Sequence, residues 1–123
     1  MTLKRIRLEL ARDHDFPNGS RHHGYDFAAP LDDNGHLLAG EWRKHRERCR
    51  VRRFWAGAPD ENGLLIHKRG GTWAFDYNPK SDADDEPGFK FDKHRFVPGE
   101  YVSVTEHDHV QRTFRVVSVL DLD

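Results

Sequence analysis

Between Arg43 and Arg53 the chain carries six Arg, one Lys and a single acid, Glu47. Subtracting this run from the 20 Lys and Arg and the 21 Asp and Glu of the whole chain leaves 13 basic residues against 20 acidic ones. A segment of net +6 thus sits in an acidic remainder, and such segregation speaks to the partners a surface attracts. Arg43, Arg46, Arg48, Arg50, Arg52 and Arg53 are the candidate binding residues. A guanidinium is planar and permanently charged, and it presents paired N–H groups that match phosphate and carboxylate oxygens. If Arg48, Arg50 and Arg52 share one face of a strand, their side chains are spaced by roughly 7 Å, close to the phosphate spacing of an extended single strand. The plain alternative is a solvated face whose arginines pair with nearby carboxylates.

Other residue types offer less. Cys49 follows His45 by four positions, and flanking arginines would lower the pKa of an exposed thiol. Its neighbours place it inward, however, as a small buried hydrophobe. Nine His residues are present. His22 and His23 are adjacent, so they diverge on an extended chain. His107 and His109 share a side if extended, with Glu106 and Asp108 beside them. A stable zinc site needs four ligands, or three and a water, and this group lacks the rest. No metal and no cofactor are expected. Lys68-Arg-Gly-Gly-Thr72 reads as a hairpin turn, since it lacks the spacing and following helix of a phosphate-binding loop. No nucleophile elbow, zincin helix, dinucleotide fingerprint or Cys-x-x-Cys pair occurs, and no catalytic residue is assigned.

The elements that must position these residues follow from periodicity. Leu38, Trp42, His45 and Cys49 recur at helical spacing, which predicts a helix over roughly 38–47. Alternation from Arg48 predicts a strand over 48–55. Ile6, Leu8 and Leu10 alternate with Arg5, Arg7 and Glu9, giving an N-terminal strand with a polar outer face. Residues 13–24 are rich in loop formers, and a strand is expected from Tyr25 to Ala29. Residues 64–68 and 72–77 predict a hairpin. The stretch 78–88, with Asp82, Asp84, Asp85 and Glu86, predicts an exposed, mobile acidic loop; the alternative is a loop that folds over the arginines and masks them. Three C-terminal strands are expected over 89–97, 100–106 and 111–120, with Pro98-Gly99 as a type II turn. Both faces of Val116-Val-Ser-Val-Leu120 are apolar, which suggests a closed or double-layered sheet.

The chain is therefore expected to be mainly β: a small β-barrel or double-layered antiparallel sheet of about eight short strands with one α-helix, forming one domain over residues 1–123. A chain of 123 residues can bury roughly two-thirds of its unfolded surface. Its 14 aromatic residues supply a core despite 33% charged residues. A single Cys excludes an intramolecular disulfide. No apolar run is long enough to span a membrane, and the charged N-terminus does not read as a signal peptide. The expected setting is cytoplasmic. Net charge −1 and pI near 6.8 argue against a dedicated DNA-binding domain, not against RNA on one face.

Arg50-Val-Arg-Arg-Phe-Trp55, Phe75-Asp-Tyr77, Phe96-Val-Pro-Gly-Glu-Tyr-Val-Ser-Val104 and Thr113-Phe-Arg-Val116 resemble a group of short, uncharacterised bacterial proteins of similar length. The resemblance runs from about Leu3 to Val119 and implies no particular activity. The Pro-Gly-Glu-Tyr-Val hairpin alone is similar to hairpins in the small β-barrels of translation factors. Three functions are weighed. First comes a non-enzymatic binding module whose Arg-rich face holds an anionic partner such as RNA. Second is a protein-interaction module that meets an acidic protein surface or a second copy of itself. Third is an enzyme with dispersed His and Asp residues.

Overall fold

A computed structural model describes residues 3–68, 71–77, 94–105 and 110–122. The chain is mainly β. Strands β1 (Leu3–Leu10), β2 (Ser20–Pro30), β3 (Arg50–Trp55), β4 (Glu61–His67), β5 (Trp73–Asp76), β6 (Tyr101–Thr105) and β7 (Gln111–Asp121) form one antiparallel sheet in the order β5-β4-β3-β2-β1-β7-β6. The sheet curls into a half-barrel, and among the described residues no pairing joins its edges β5 and β6. One six-residue helix, α1 (Ala39–Lys44), leads through a 3-10 turn at Arg46–Arg48 into β3.

Alternation decides which face of each strand is dry. Ile6, Leu8 and Leu10 of β1, Tyr25 and Phe27 of β2, Val102 and Val104 of β6, and Phe114 and Val116 of β7 are buried on the concave side. Tyr25 meets Phe75 and Phe114 at ring-centroid distances of 4.9 and 5.3 Å, and Phe27 meets Phe96 at 5.6 Å. These offset and edge contacts fill the hollow with aromatic area. The helix closes it on one side. Trp42 is buried, packs edge-on to Trp73 at 5.6 Å, and its indole N–H donates to the Leu65 carbonyl at 2.8 Å.

The middle strand, β2, starts earlier than its sequence suggests, at Ser20 rather than Tyr25. Its pairing with β1 jumps from Glu9↔Gly24 to Leu10↔Ser20. Residues 21–23 are therefore extra relative to β1, and His23 pairs with Trp55 of β3. The helix is likewise shorter than 38–47. Residues 94–97, expected as the end of a strand, are irregular; Phe96 still reaches the core because its N–H bonds the Gly35 carbonyl at 2.7 Å. The two-faced apolar look of 116–120 has a local cause. Val116 pairs with Leu8 and Ser118 with Arg7, so Val117 is a bulge residue without a partner opposite. Val119 returns inward, and Leu120 is left exposed. The expected Pro98-Gly99 turn is present, with Gly99 at φ 96° and the Glu100 N–H bonding the Val97 carbonyl at 3.0 Å. The β4–β5 hairpin is also present, in the register Leu64↔Asp76 to His67↔Trp73.

Candidate anion-binding face

The convex face is built on three neighbouring strands. Arg5, Arg7 and Glu9 of β1 point outward, as do Arg50, Arg52 and Phe54 of β3, because their neighbours in sequence fill the core. Between them run the outward positions of β2, which are Gly24, Asp26 and Ala28. Small residues here leave a floor lower than its two arginine walls. Gly24 is required: a Cβ there would lie 1.9 Å from the Leu8 carbonyl oxygen and 3.0 Å from the Phe54 ring. Phe54 covers the glycine, and Arg7 and Arg52 lie over its ring at 4.3 and 5.4 Å.

Asp26 is the single acid on this floor and is 7% exposed. Its Oδ2 accepts from Arg52 Nη2 at 2.6 Å and from Arg7 Nη1 at 3.1 Å. The hydrogen bond to Asp26, first among several causes, raises the Arg52 pKa, so its charge is fixed more firmly. Arg7 also donates to Glu9 at 2.8 Å, and Arg52 to Asp60 at 3.2 Å.

Four depressions, each sharing an arginine with the next, run from the helix onto this face. One of about 450 Å³ is lined by Arg43, Lys44, Arg46 and Arg48. Arg48 also belongs to a second, of about 300 Å³, with Arg5, Arg50 and Arg52. Arg52 continues into a third, of about 440 Å³, with Arg7, Arg21 and His22. Arg21 in turn enters the largest, about 660 Å³, with Arg12 and Arg115. Together they are lined by 11 Lys and Arg side chains of the chain's 20, and by four acids of its 21: Glu9, Asp26, Glu47 and Asp60. That ratio makes the track basic on a chain whose net charge is close to zero.

The track gathers five of the six arginines singled out by sequence. Arg43 and Arg46 stand on α1 and the 3-10 turn, and Arg46 lies over the Trp42 ring at 5.1 Å. Arg48 belongs to the 3-10 turn rather than to a strand, so the expected row of three is two strand residues, Arg50 and Arg52, with Arg48 beside them. Arg53 does not join them. It shares the inward parity of Val51, lies over Trp55 at 4.3 Å and pairs with Glu61 at 3.6 Å. Sequence reasoning left out Arg5, Arg7, Arg12, Arg21 and Arg115. The outward alternation of Arg5 and Arg7 was visible, but only the pairing of β1 and β3 to the same strand brings them to the arginine run.

The concave end near residues 11–23 is closed rather than open. His23 is 8% exposed and is wedged between Phe16 and Trp55, at 4.6 and 4.5 Å. Its Nδ1 is 2.7 Å from the Ser20 hydroxyl, which also accepts the His22 N–H at 3.1 Å. Burial, with the charges of His22, Arg53 and Arg112 adding to it, pushes the His23 pKa down. Arg112 ties the loop shut by donating to Asp13 at 2.7 Å and to Asp15 at 3.2 Å. The backbone N–H of Asp15, with Arg112 beside it, holds the Asp13 carboxyl below its ordinary range. Cys49 is 0% exposed, and burial pushes its thiol up to about 11. Among the described residues no group of three or more His, Cys, Asp and Glu is placed to hold a metal. His107, His109, the acidic stretch with Asp82, Asp84, Asp85 and Glu86, and the turn at Arg69 and Gly70 lie outside the described residues. No helix among the described residues is long and apolar enough to cross a membrane.

No family model, curated protein or solved structure matches this chain.

Proposed function

We propose that the protein is a non-enzymatic binding module that holds single-stranded RNA along the basic convex track. The observation that carries this reading is the ratio above: 11 cationic side chains against four acids along four adjoining depressions, in a chain of net charge −1. The cations are nearly all arginine, which suits bidentate bonding to phosphate oxygens and stacking on bases. Neutralising phosphates releases counterions, so affinity falls steeply with salt. The proposal places the protein in a reducing cytoplasm, where RNA is an abundant polyanion and a lone thiol needs no partner.

Arg5 and Arg50 are the positions for the test. Both are exposed, and among the described residues neither is in an ion pair; Arg50 donates only to the Glu47 carbonyl at 3.3 Å. Replacing both with Gln is expected to leave the melting temperature unchanged. Affinity for a labelled single-stranded RNA, read by fluorescence anisotropy, is expected to fall. The slope of log K against log salt should become shallower by about 0.7 for each phosphate that is no longer neutralised. A parent protein that shows no RNA association at about 50 mM salt sinks the proposal. Tighter binding to an acidic peptide than to RNA assigns the same face to a protein partner instead.

A further inference from the structure

We propose that the largest depression, at the far end of the track, takes a nucleobase that stacks on Tyr101. The inference rests on the RNA reading above and adds a specific site to it.

Tyr101 is the first residue of edge strand β6 and is 58% exposed. Val102 and Val104 fill the core, so Tyr101 points to the convex side. Its register partner on β7 is Arg115, and the register partner of Arg115 on β1 is Glu9. Opposite this row the loop carrying Asn18 forms the other wall. That wall is fixed. Gly19 has φ 70°, and a Cβ there would lie 2.7 Å from the Leu10 carbonyl oxygen. The Gly19 N–H bonds the Phe16 carbonyl at 2.9 Å, and Arg112 holds the loop through Asp13.

This open depression, about 660 Å³, falls within the range of about 300–1,000 Å³ usual for small-ligand sites. Its contents are unlike those of the rest of the track. Elsewhere the linings are mostly charged and carry no exposed Phe, Tyr or Trp, since Phe54 is buried and Trp55 half-buried. Here an exposed aromatic ring stands beside the guanidinium of Arg115, its register partner, with Arg12 in the same lining and Arg21 at the junction with the neighbouring depression. A polyphosphate has no flat group for that ring. A nucleotide has a flat base for Tyr101 and a phosphate for Arg21 or Arg115, and single strands leave their bases free to stack. Glu9 offers acceptors and Asn18 both a donor and an acceptor to a base edge.

The test compares two polyanions on the parent, Tyr101→Ala and Tyr101→Phe. One is a labelled single-stranded RNA of about twelve nucleotides, spanning one basic groove; the other is inorganic polyphosphate, which has charge but no bases. Tyr101→Ala is expected to weaken RNA binding about tenfold, the loss of one stacked base, with polyphosphate affinity and the RNA salt slope unchanged. Tyr101→Phe is expected to match the parent. Circular dichroism checks that the exposed substitution leaves the fold intact. If the parent binds RNA and Tyr101→Ala changes neither ligand, or both equally, the nucleobase site is wrong while the RNA reading stands. If the parent binds RNA and polyphosphate equally well, the nucleobase site also falls. A parent that binds neither overturns both.

Discussion

Arg52 Nη2 lies 2.6 Å from Asp26 Oδ2, across the ladder where the two residues are register partners on β3 and β2. The same carboxylate oxygen takes Arg7 from the other side. One buried acid thus holds two arginines of the basic face apart and in place. On the proposed RNA reading Asp26 acts oppositely on folding and on binding: it holds its neighbours in place and subtracts from the positive potential that an anion would meet.

Asp26→Asn separates those effects. The amide keeps the shape and one acceptor but loses the charge. Hydrogen bonds between charged groups are worth more than neutral ones, so stability is expected to fall by about 1–2 kcal/mol in chemical denaturation. Affinity for single-stranded RNA is expected to rise at low salt. A variant that is less stable and also binds RNA less well means that Asp26 orients the arginines more than it opposes the ligand.

Gly24→Ala tests the floor of the track. The added methyl would sit 1.9 Å from the Leu8 carbonyl oxygen, which belongs to the backbone and cannot rotate away. The strands must part there, and Phe54 must leave its place over the glycine. Destabilisation of about 3 kcal/mol is expected, the upper end for overpacking. Unchanged stability in urea would mean that β1 and β2 yield easily at this point.

Much of the fold was legible because it is local. The alternation of Ile6, Leu8 and Leu10, the helical spacing of Leu38 and Trp42, and the turn at Pro98-Gly99 each lie within a few residues. Less legible were features that depend on a partner far along the chain. The arginine face needs β1 and β3 to flank β2, which no window of sequence contains. Phe96 is buried from an irregular segment because Gly35 accepts its N–H. Arg112 closes a loop 99 residues earlier in the chain. Arg53 is the instructive case. Its charge grouped it with its neighbours, but its parity with Val51 already put it on the other face, and parity decided.

Cys49 is expected to react slowly with a thiol reagent at neutral pH. It is fully buried, and its pKa is pushed up to about 11, so little thiolate exists to attack. Labelling is expected to become complete only in denaturant. Rapid full labelling of the native protein would show that the junction of α1 and β3 opens readily.

The last prediction concerns acid and His23. In the fold its pKa is lowered from 6.5, first by burial and then by neighbouring positive charge. The folded state therefore prefers the neutral ring, and the unfolded chain takes up a proton first as pH falls. The stability this contributes is fully present above about pH 6.5 and is lost as pH falls from there through the lower folded value. The chain has eight other histidines, so the parent alone cannot isolate the effect. His23→Phe keeps a ring between Phe16 and Trp55 and removes the titration, at the cost of the hydrogen bond between His23 and Ser20. The variant is expected to be less stable than the parent near pH 7.5 by about 1 kcal/mol. The difference should narrow toward pH 5, read from melting temperatures at matched ionic strength. A difference that stays constant across this range would mean that protonated His23 fits the wedge as well as neutral His23 does. Burial would then not be what disfavours its charge.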